Sequence, residues 1–395
     1  MLKKIKNIKG NEAIIYAETF EFGAYDQIKK LINFTPYQDA KVRIMPDAHV
    51  GKGCTIGTTM TITDKVTPNL VGVDIGCGML TVKLVDKEID FKNLDKVIND
   101  KIPNGFNVHI ENKRKFIFSN LRCKKYVDLE RARLSIGSLG GGNHFIEVSK
   151  SEKNGELFLI IHSGSRKLGA DTCRYYQNKA IDNAIGVSKV RKELIDRLKK
   201  AGREKEIASQ LKKIKIPTID KDLAVLSGKD FDDYMNDMSI VQKFASENRK
   251  TIASIILKEA GLSAFDNFET IHNYIDFSRM VLRKGATSAE KGETLLIPIN
   301  MRDGSLLCIG KGNPDWNYSA PHGAGRLMSR SKAKQIIDIE EFKDCMSDVY
   351  SSSVGTSTLD EAPQAYKSID EIMRTIGDTV EVIDVLKPLY NFKSH

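Results

Sequence analysis

Residues 157–166 read LFLIIHSGSR: five apolar residues in a row end at His162 and break into Ser163-Gly164-Ser165-Arg166. A short, continuous apolar run bounded by turn residues reads as a strand buried on both faces. The residues after it suit a turn into a helix, and their backbone amides and guanidinium would suit a phosphate. A plain strand-to-helix junction is the alternative. Upstream, LVGVD (70–74), MLTVKL (79–84) and HFIEV (144–148) are strand-like runs of the same kind. Downstream the character changes. Between Lys189 and Lys215 lie eleven Lys/Arg and four Asp/Glu, so a net +7 of the chain's +9 falls in one stretch. Val190, Leu194, Leu198 and Ala201 recur there at helical spacing, which predicts an amphipathic helix with a basic outer face. Such a face is usually just solvated, and phosphate-backbone binding is its functional alternative. Strand-like runs return in TLLIPI (294–299), SLLCIG (305–310) and VEVIDVL (380–386). The fold class expected is α+β, a mixed α/β body with strands over 1–165 and 266–395. A helical insert over 167–262 interrupts it, within a single large domain of layered sheets and helices spanning 1–395.

The composition supports a folded chain. Hydrophobic residues at 41% and charged residues at 29% exclude disordered, collagenous and disulfide-scaffold classes. No apolar run approaches the ~18 residues of a membrane span. The first residues, MLKKIKNIKG, meet charge too early for a secretory signal core. A cytoplasmic protein without membrane contact is expected. The six cysteines, at 54, 77, 123, 173, 308 and 345, form no CxxC pair, so each reads as a single thiol. The positive balance favours an anionic partner such as nucleic acid or nucleotide.

The seven histidines carry the most information. Five of them (His49, His144, His162, His272 and His322) have Gly, Asn, Asp or Ser as close neighbours. In LVGVDIGCGM (70–79), Asp74 and Cys77 share a glycine-flanked turn in which both side chains can face one point. A carboxylate, a thiolate and neutral imidazoles make a first-row transition-metal set, and a thiolate can bridge two ions. Softness alone suggests zinc; a buried free cysteine beside a capping aspartate is the structural alternative. In LGGGNHFIEV (139–148) strand alternation puts His144 and Ile146 on one face, Phe145 and Glu147 on the other. SAPHGAGRLMSRSKAK (319–334) reads as a loop entering a helix, with His322 at the turn and Arg326 and Arg330 four apart on one helical face. An imidazole so placed is biased toward its neutral, nucleophilic form, which makes His322 the candidate nucleophile toward phosphorus. Asp47 and His49, in MPDAHVGKG (45–53), are read as a site wall, an end-binding pair, or a structural corner.

From MPDAHVGKG through VGVDIGCGM, GGGNHFIE, HSGSR, IHNY, HGAGRLMSR and DEAPQAYK to Lys393, the chain resembles the RtcB-type RNA-splicing ligases over nearly its whole length. The resemblance implies two Mn²⁺ ions held by Asp74, Cys77, His144, His162 and His272, with the Cys77 thiolate bridging. It implies that Asn143, Ala324 and Gly325 bind the nucleotide and that His322 is guanylylated by GTP. Phe145 and Tyr366 would flank the guanine, and Glu147 and Lys393 would read its edge. Arg166, Arg326 and Arg330 would hold RNA phosphates. The implied activity joins an RNA 3′-phosphate or 2′,3′-cyclic phosphate to a 5′-hydroxyl, in RNA repair or tRNA splicing. A metal-dependent RNA-end phosphoesterase that uses no nucleotide is the alternative, and a non-catalytic RNA-binding module a third. Three departures bear on these expectations. IPINMRDGS (297–305) stands where many relatives carry Pro-Gly-Ser-Met-Gly, Lys167 follows HSGSR, and Ser394-His395 follow Lys393. The sequence is silent on the physiological RNA, the oligomeric state and any activating protein partner.

Overall fold

The structure is a computed structural model that describes residues 3–19, 21–211 and 218–394, with the backbone alone for 187–190. Lys212, Lys213 and Lys215 of the basic stretch, and His395, lie outside the described residues, as do the side chains of Lys189 and Val190.

The run at 157 forms a strand, Leu157–Ser163, buried at every position. Its alternation explains how both faces are covered. Leu157, Leu159 and Ile161 pack with Ile146, Leu94, Ile98, Ile252 and Ile256. Phe158 and Ile160 pack on the opposite side with Met79, Phe145, Leu296 and Leu386. Each such side chain, fully buried, is worth about 1.5–3 kcal/mol.

This strand lies third in a seven-stranded sheet. The order is Ala264–Ile271, Gly78–Leu84, Leu157–Ser163, Phe145–Ser151, Val380–Lys393, Gly304–Gly310 and Thr294–Asn300. All six neighbouring pairs are antiparallel. The sheet curls until its edges approach: Leu296 N–H donates to Thr270 Oγ1 across the gap at 3.1 Å. Curling covers edges that would otherwise present unpaired backbone groups. A second, six-stranded sheet contains Lys3–Lys6, Glu12–Ile15, Val42–His49, Ile56–Thr61, Val281–Lys284 and Asn273–Asp276 in that order. Helices lie against the sheets rather than alternating with parallel strands, so the class is α+β.

Between strands Leu157–Ser163 and Ala264–Ile271 the chain is mainly helical: Arg166–Ile185, Val187–Lys200, Ile207–Leu211 and Lys229–Ala260. The last is part of the body, since Tyr234, Val241 and Phe244 join one core and Ile252 and Ile256 another. On the basic helix Val187–Lys200, Leu198 is buried and Arg191, Lys192, Arg197, Lys199 and Lys200 face solvent. No helix among the described residues is long and apolar enough to cross a membrane.

Two expectations fail locally. LVGVD (70–74) forms no strand: Pro68–Val71 is a short helix that Gly72 ends at φ +104°, and a turn carries the chain to Cys77. The chain after His322 does not enter a helix: Arg326 pairs in extended form with Tyr366, and the helix begins only at Arg330, spanning Arg330–Ile336. Glycine decides this. Gly325 has φ +76°, and a Cβ there would lie 2.3 Å from the Asp47 carbonyl oxygen, so the segment runs extended against the 42–49 strand. Arg326 and Arg330 therefore share no helical face, and His322 owes nothing to a helix N-terminus.

Candidate active site

Four chemically suggestive residues arrive at one place through strand pairing. His272 follows the C-terminal end of strand 264–271, Cys77 precedes strand 78–84, His162 is near the end of strand 157–163, and His144 precedes strand 145–151. These four strands are consecutive neighbours in the sheet and antiparallel, so alternating C- and N-terminal ends fall on one rim. The register makes it specific: Gly78 pairs with both Ile271 and Ser163, and Phe145 pairs with His162.

At that rim Cys77 Sγ lies 3.4 Å from His144 Nε2 and 3.3 Å from His162 Nε2. His162 Nε2 is 3.3 Å from His272 Nε2, and His144 Nε2 is 3.0 Å from Asp74 Oδ2. Two triads result, Cys77–His162–His272 and Asp74–Cys77–His144, and they share the sulfur. The tautomers matter here. His162 Nδ1 faces the Asn143 carbonyl at 3.2 Å and so carries the proton, leaving Nε2 as a bare lone pair. His144 Nδ1 lies 3.0 Å from the Leu139 carbonyl and 3.2 Å from Arg166 Nη1. Nδ1 of His272 is buried with no partner. Lone pairs, a sulfur and a carboxylate oxygen converging in a buried place repel one another unless a cation lies among them. The donor set thus fits a pair of first-row transition ions sharing a thiolate.

The electrostatics agree. Burial, then the Asp74 charge, pushes the Cys77 thiol well up, a cost that a bound cation reverses. Burial, then their charged neighbours, holds the imidazoles of His162 and His272 well below the ordinary value and so neutral. For Asp74, burial is outweighed by His144, Arg166 and the Ser165 N–H, and its carboxyl falls below the usual range. Gly164 makes this possible, because a Cβ there would sit 2.2 Å from Asp74 Oδ1.

His322 stands beside this cluster, its ring centroid 4.8 Å from that of His272. Its Nδ1 lies 2.5 Å from Asp47 Oδ2, which also accepts the His322 backbone N–H at 3.1 Å. Asp47 is fully buried in the 42–49 strand. Sequence reading leaves Asp47 open between a site wall, an end-binding residue and a structural corner; its partnership with His322 spans 275 positions and leaves no local signal. His49 lines the same cavity, and burial lowers its imidazole to about 4.

A cavity of about 720 Å³ joins these groups to Asn143, Phe145, Glu147, Ala324, Gly325, Arg326, Arg330, Tyr366 and Lys393. Lys393 Nζ and the Tyr366 hydroxyl both reach Glu361 Oε2, at 2.9 and 2.7 Å. Arg326 and Arg330 approach Glu361 Oε1 at 3.4 and 2.6 Å. Burial opposes ionisation of Glu361, yet Lys393, Arg330 and Tyr366 hold it at about 2. Glu361, which sequence reading missed, is thus the anion that gathers four expected ligand-binding residues.

Arg166 departs from its expected place. It adopts φ +53° and turns its guanidinium to His144, and the neighbouring Ser165 N–H is taken by Asp74 Oδ1 at 2.9 Å. The Ser-Gly-Ser-Arg turn therefore serves the metal-type ligands. In the 297–305 segment Ile299, Asn300 and Met301 line the cavity, while Arg302 pairs with Asp303.

Glu147 is buried, with Oε1 accepting from Ser149 at 2.6 Å and Oε2 from Asn391 at 2.7 Å, and burial raises its carboxyl to about 7. The folded chain then holds a proton that the unfolded chain releases near its ordinary 4.5. Stability contributed by Glu147 is present below that value and lost as pH rises through about 7. Glu147→Gln should therefore melt higher than the parent at pH 8 and alike at pH 4. Equal shifts at both pH values in thermal melts would contradict this.

A curled antiparallel sheet thus carries on its rim a ligand cluster that could hold metal ions, beside a histidine held by a carboxylate. The chain matches the family model described as tRNA-splicing ligase RtcB over residues 27–128 and 108–394, and it belongs to that family. It is 30% identical to the RNA-splicing ligase RtcB of Escherichia coli K12 over 92% of each chain. It is also 26% identical to the tRNA-splicing ligase RtcB of Archaeoglobus fulgidus, over 94% of this chain and 91% of that one. The corresponding protein of Nanoarchaeum equitans is 26% identical over 84% of this chain and 83% of its own.

Proposed function

We propose that this chain is a GTP- and Mn²⁺-dependent RNA ligase of the cytoplasm. It would join 3′-phosphate or 2′,3′-cyclic phosphate ends to 5′-hydroxyl ends through a guanylylated His322. The observation that carries the reading is the Asp47–His322 pair standing beside the shared-sulfur cluster in one cavity. Asp47 accepts the Nδ1 proton and leaves the Nε2 lone pair free for in-line attack on the α-phosphorus of GTP. A P–N bond forms as the bond to pyrophosphate breaks. Where the end is a 2′,3′-cyclic phosphate, water first breaks its P–O2′ bond to leave a 3′-phosphate and a 2′-hydroxyl; an oxygen of the RNA 3′-phosphate then attacks the guanylyl phosphorus, the P–N bond breaks, and Nε2 is restored. Finally the 5′-hydroxyl attacks the activated 3′-phosphate, GMP leaves, and a phosphodiester remains.

Two Mn²⁺ ions held by Asp74, Cys77, His144, His162 and His272 would stabilise charge on the non-bridging oxygens. Phe145 and Tyr366 supply faces for the guanine, Glu147 and Lys393 polar groups for its edge, and Asn143, Ala324 and Gly325 the phosphate contacts. Arg326 and Arg330 lie where RNA phosphates could exchange for Glu361, while Arg166 acts from beside His144. The 167–262 segment carries the basic Val187–Lys200 helix, whose exposed cations suit RNA backbone. The alternative, a phosphoesterase without nucleotide, leaves the Phe145–Tyr366–Glu147–Lys393 end of the cavity unexplained.

The test is incubation of the full chain with α-³²P-GTP and Mn²⁺. An acid-labile, alkali-stable protein adduct is expected, absent in His322→Ala, together with joining of an RNA bearing a 2′,3′-cyclic phosphate and a 5′-hydroxyl. RNA-end hydrolysis unaffected by GTP or by His322→Ala, without joined product, would overturn the reading in favour of the phosphoesterase.

A further inference from the structure

The five ligand-type residues reside on four chain segments, and two adjacent residues that are not ligands touch all four. Asn248 and Arg249 sit side by side in the helix Lys229–Ala260, both fully buried. Arg249 Nη1 donates to the Gly76 carbonyl at 2.8 Å and to the Ser163 carbonyl at 2.9 Å. Gly76 immediately precedes Cys77, and Ser163 immediately follows His162. Arg249 Nε donates to Glu269 Oε1 at 3.0 Å, on the strand that leads into His272. Glu269 is itself oriented, accepting from Ser246 Oγ on the same helix at 2.6 Å.

Asn248 covers the rest. Its Oδ1 accepts from Gly137 N and Ser138 N at 2.8 and 3.2 Å. Its Nδ2 donates to the Ser138 carbonyl, Ser163 Oγ and the Gly164 carbonyl at 3.1, 3.0 and 3.1 Å. Ser163 Oγ in turn donates to the Leu139 carbonyl that His144 Nδ1 also meets, and the chain after Gly164 supplies the Ser165 N–H held by Asp74. The helix presses close: a Cβ at Gly76, whose φ is +73°, would lie 2.9 Å from Gln242 Cα.

We infer that Asn248–Arg249 is the positioning element of the metal centre. Its bonds from one rigid helix hold the Cys77, His144, His162 and His272 segments in the register that lets two ligand sets share one sulfur. Stability alone does not explain the arrangement, because Arg249 Nη2 is left buried without a partner, which costs stability. A planar guanidinium is required, since one nitrogen spans two carbonyls while another reaches Glu269; an ammonium would have to abandon one of them. The inference rests on reading the cluster as a metal centre.

The test is titration of the full chain with Co²⁺ alone, read by thiolate-to-cobalt charge-transfer and d–d absorption. The variants are Arg249→Met, Arg249→Lys and, as a control, Arg283→Met. Arg283 is equally buried and ion-paired, but binds Asp276, Tyr274 and the 317–319 segment instead. The parent is expected to take up two equivalents. Arg249→Lys and Arg249→Met should weaken Co²⁺ binding by about 10- to 100-fold and change the absorption, as loss of a ligand's supporting partner does. Arg283→Met should keep the parent spectrum even where its melting temperature falls. If Arg249→Met does not fold, Arg249→Lys decides. An unchanged spectrum and affinity in Arg249→Lys, with the parent binding Co²⁺, overturns the positioning role alone. Failure of the parent to bind Co²⁺ overturns the metal reading and this inference with it.

Discussion

Cys77→Ala is expected to retain no stoichiometric divalent metal and to form no guanylyl adduct, whereas His322→Ala binds metal like the parent and fails only at the adduct. The asymmetry follows from position. Cys77 Sγ belongs to both triads, so its removal leaves His162 with His272 and Asp74 with His144, two protein ligands for each ion. The loss should exceed the roughly 10- to 100-fold that removing a mere supporting partner costs. His322 Nδ1 is committed to Asp47, and its ring meets the edge of the cluster at His272. Metal analysis of desalted protein, together with α-³²P-GTP labelling, reads both effects. Equal loss of metal in the two variants would contradict the division between ligands and nucleophile.

Asp47→Asn should slow adduct formation by about 10²- to 10⁴-fold, the range attributed to a positioned proton acceptor, while metal content stays at the parent level. The atom facing Nδ1 also accepts the His322 backbone N–H, so asparagine keeps its amide oxygen there, and what is lost is the carboxylate charge that stabilises the positive imidazole formed as Nε2 attacks. The geometry leaves little room to escape this. Asp47 is fully buried, accepts both the ring and the backbone N–H of His322, and is pressed by the Gly325 turn. Single-turnover labelling measures the rate, and an unchanged rate would remove Asp47 from the mechanism.

The histidines show how much of the site could be read in advance. Polar, glycine-rich neighbours distinguished His49, His144, His162, His272 and His322; all but His144 line one cavity, and His144 lies against Cys77, which lines it. His109, set apart by the same criterion, lies elsewhere and contacts the Gly137 carbonyl. The alternation that separates Phe145 and Glu147 from Ile146 also holds, because a strand's period of two is a local property. Helical spacing misled at Arg326 and Arg330. Four-residue separation matters only in a helix, and here both arginines are gathered by Glu361, which belongs to the DEAPQAYK motif but stands 31 and more positions away from them.

The sequence by itself determined six strands of the larger sheet at or near their positions and that thiol, carboxylate and imidazole groups fall beside strand ends, though not that 70–74 is a helix end and turn or that the last strand runs on to Lys393. Apolar runs and the turn residues that end them are local and act before any distant contact forms. Only the tertiary structure decided that four strand ends share a rim, that Asp47 holds His322, and that the Asn248–Arg249 pair ties the rim together. Those choices depend on antiparallel register between distant strands and on buried polar groups finding partners more than 80 positions away, which no window of sequence contains.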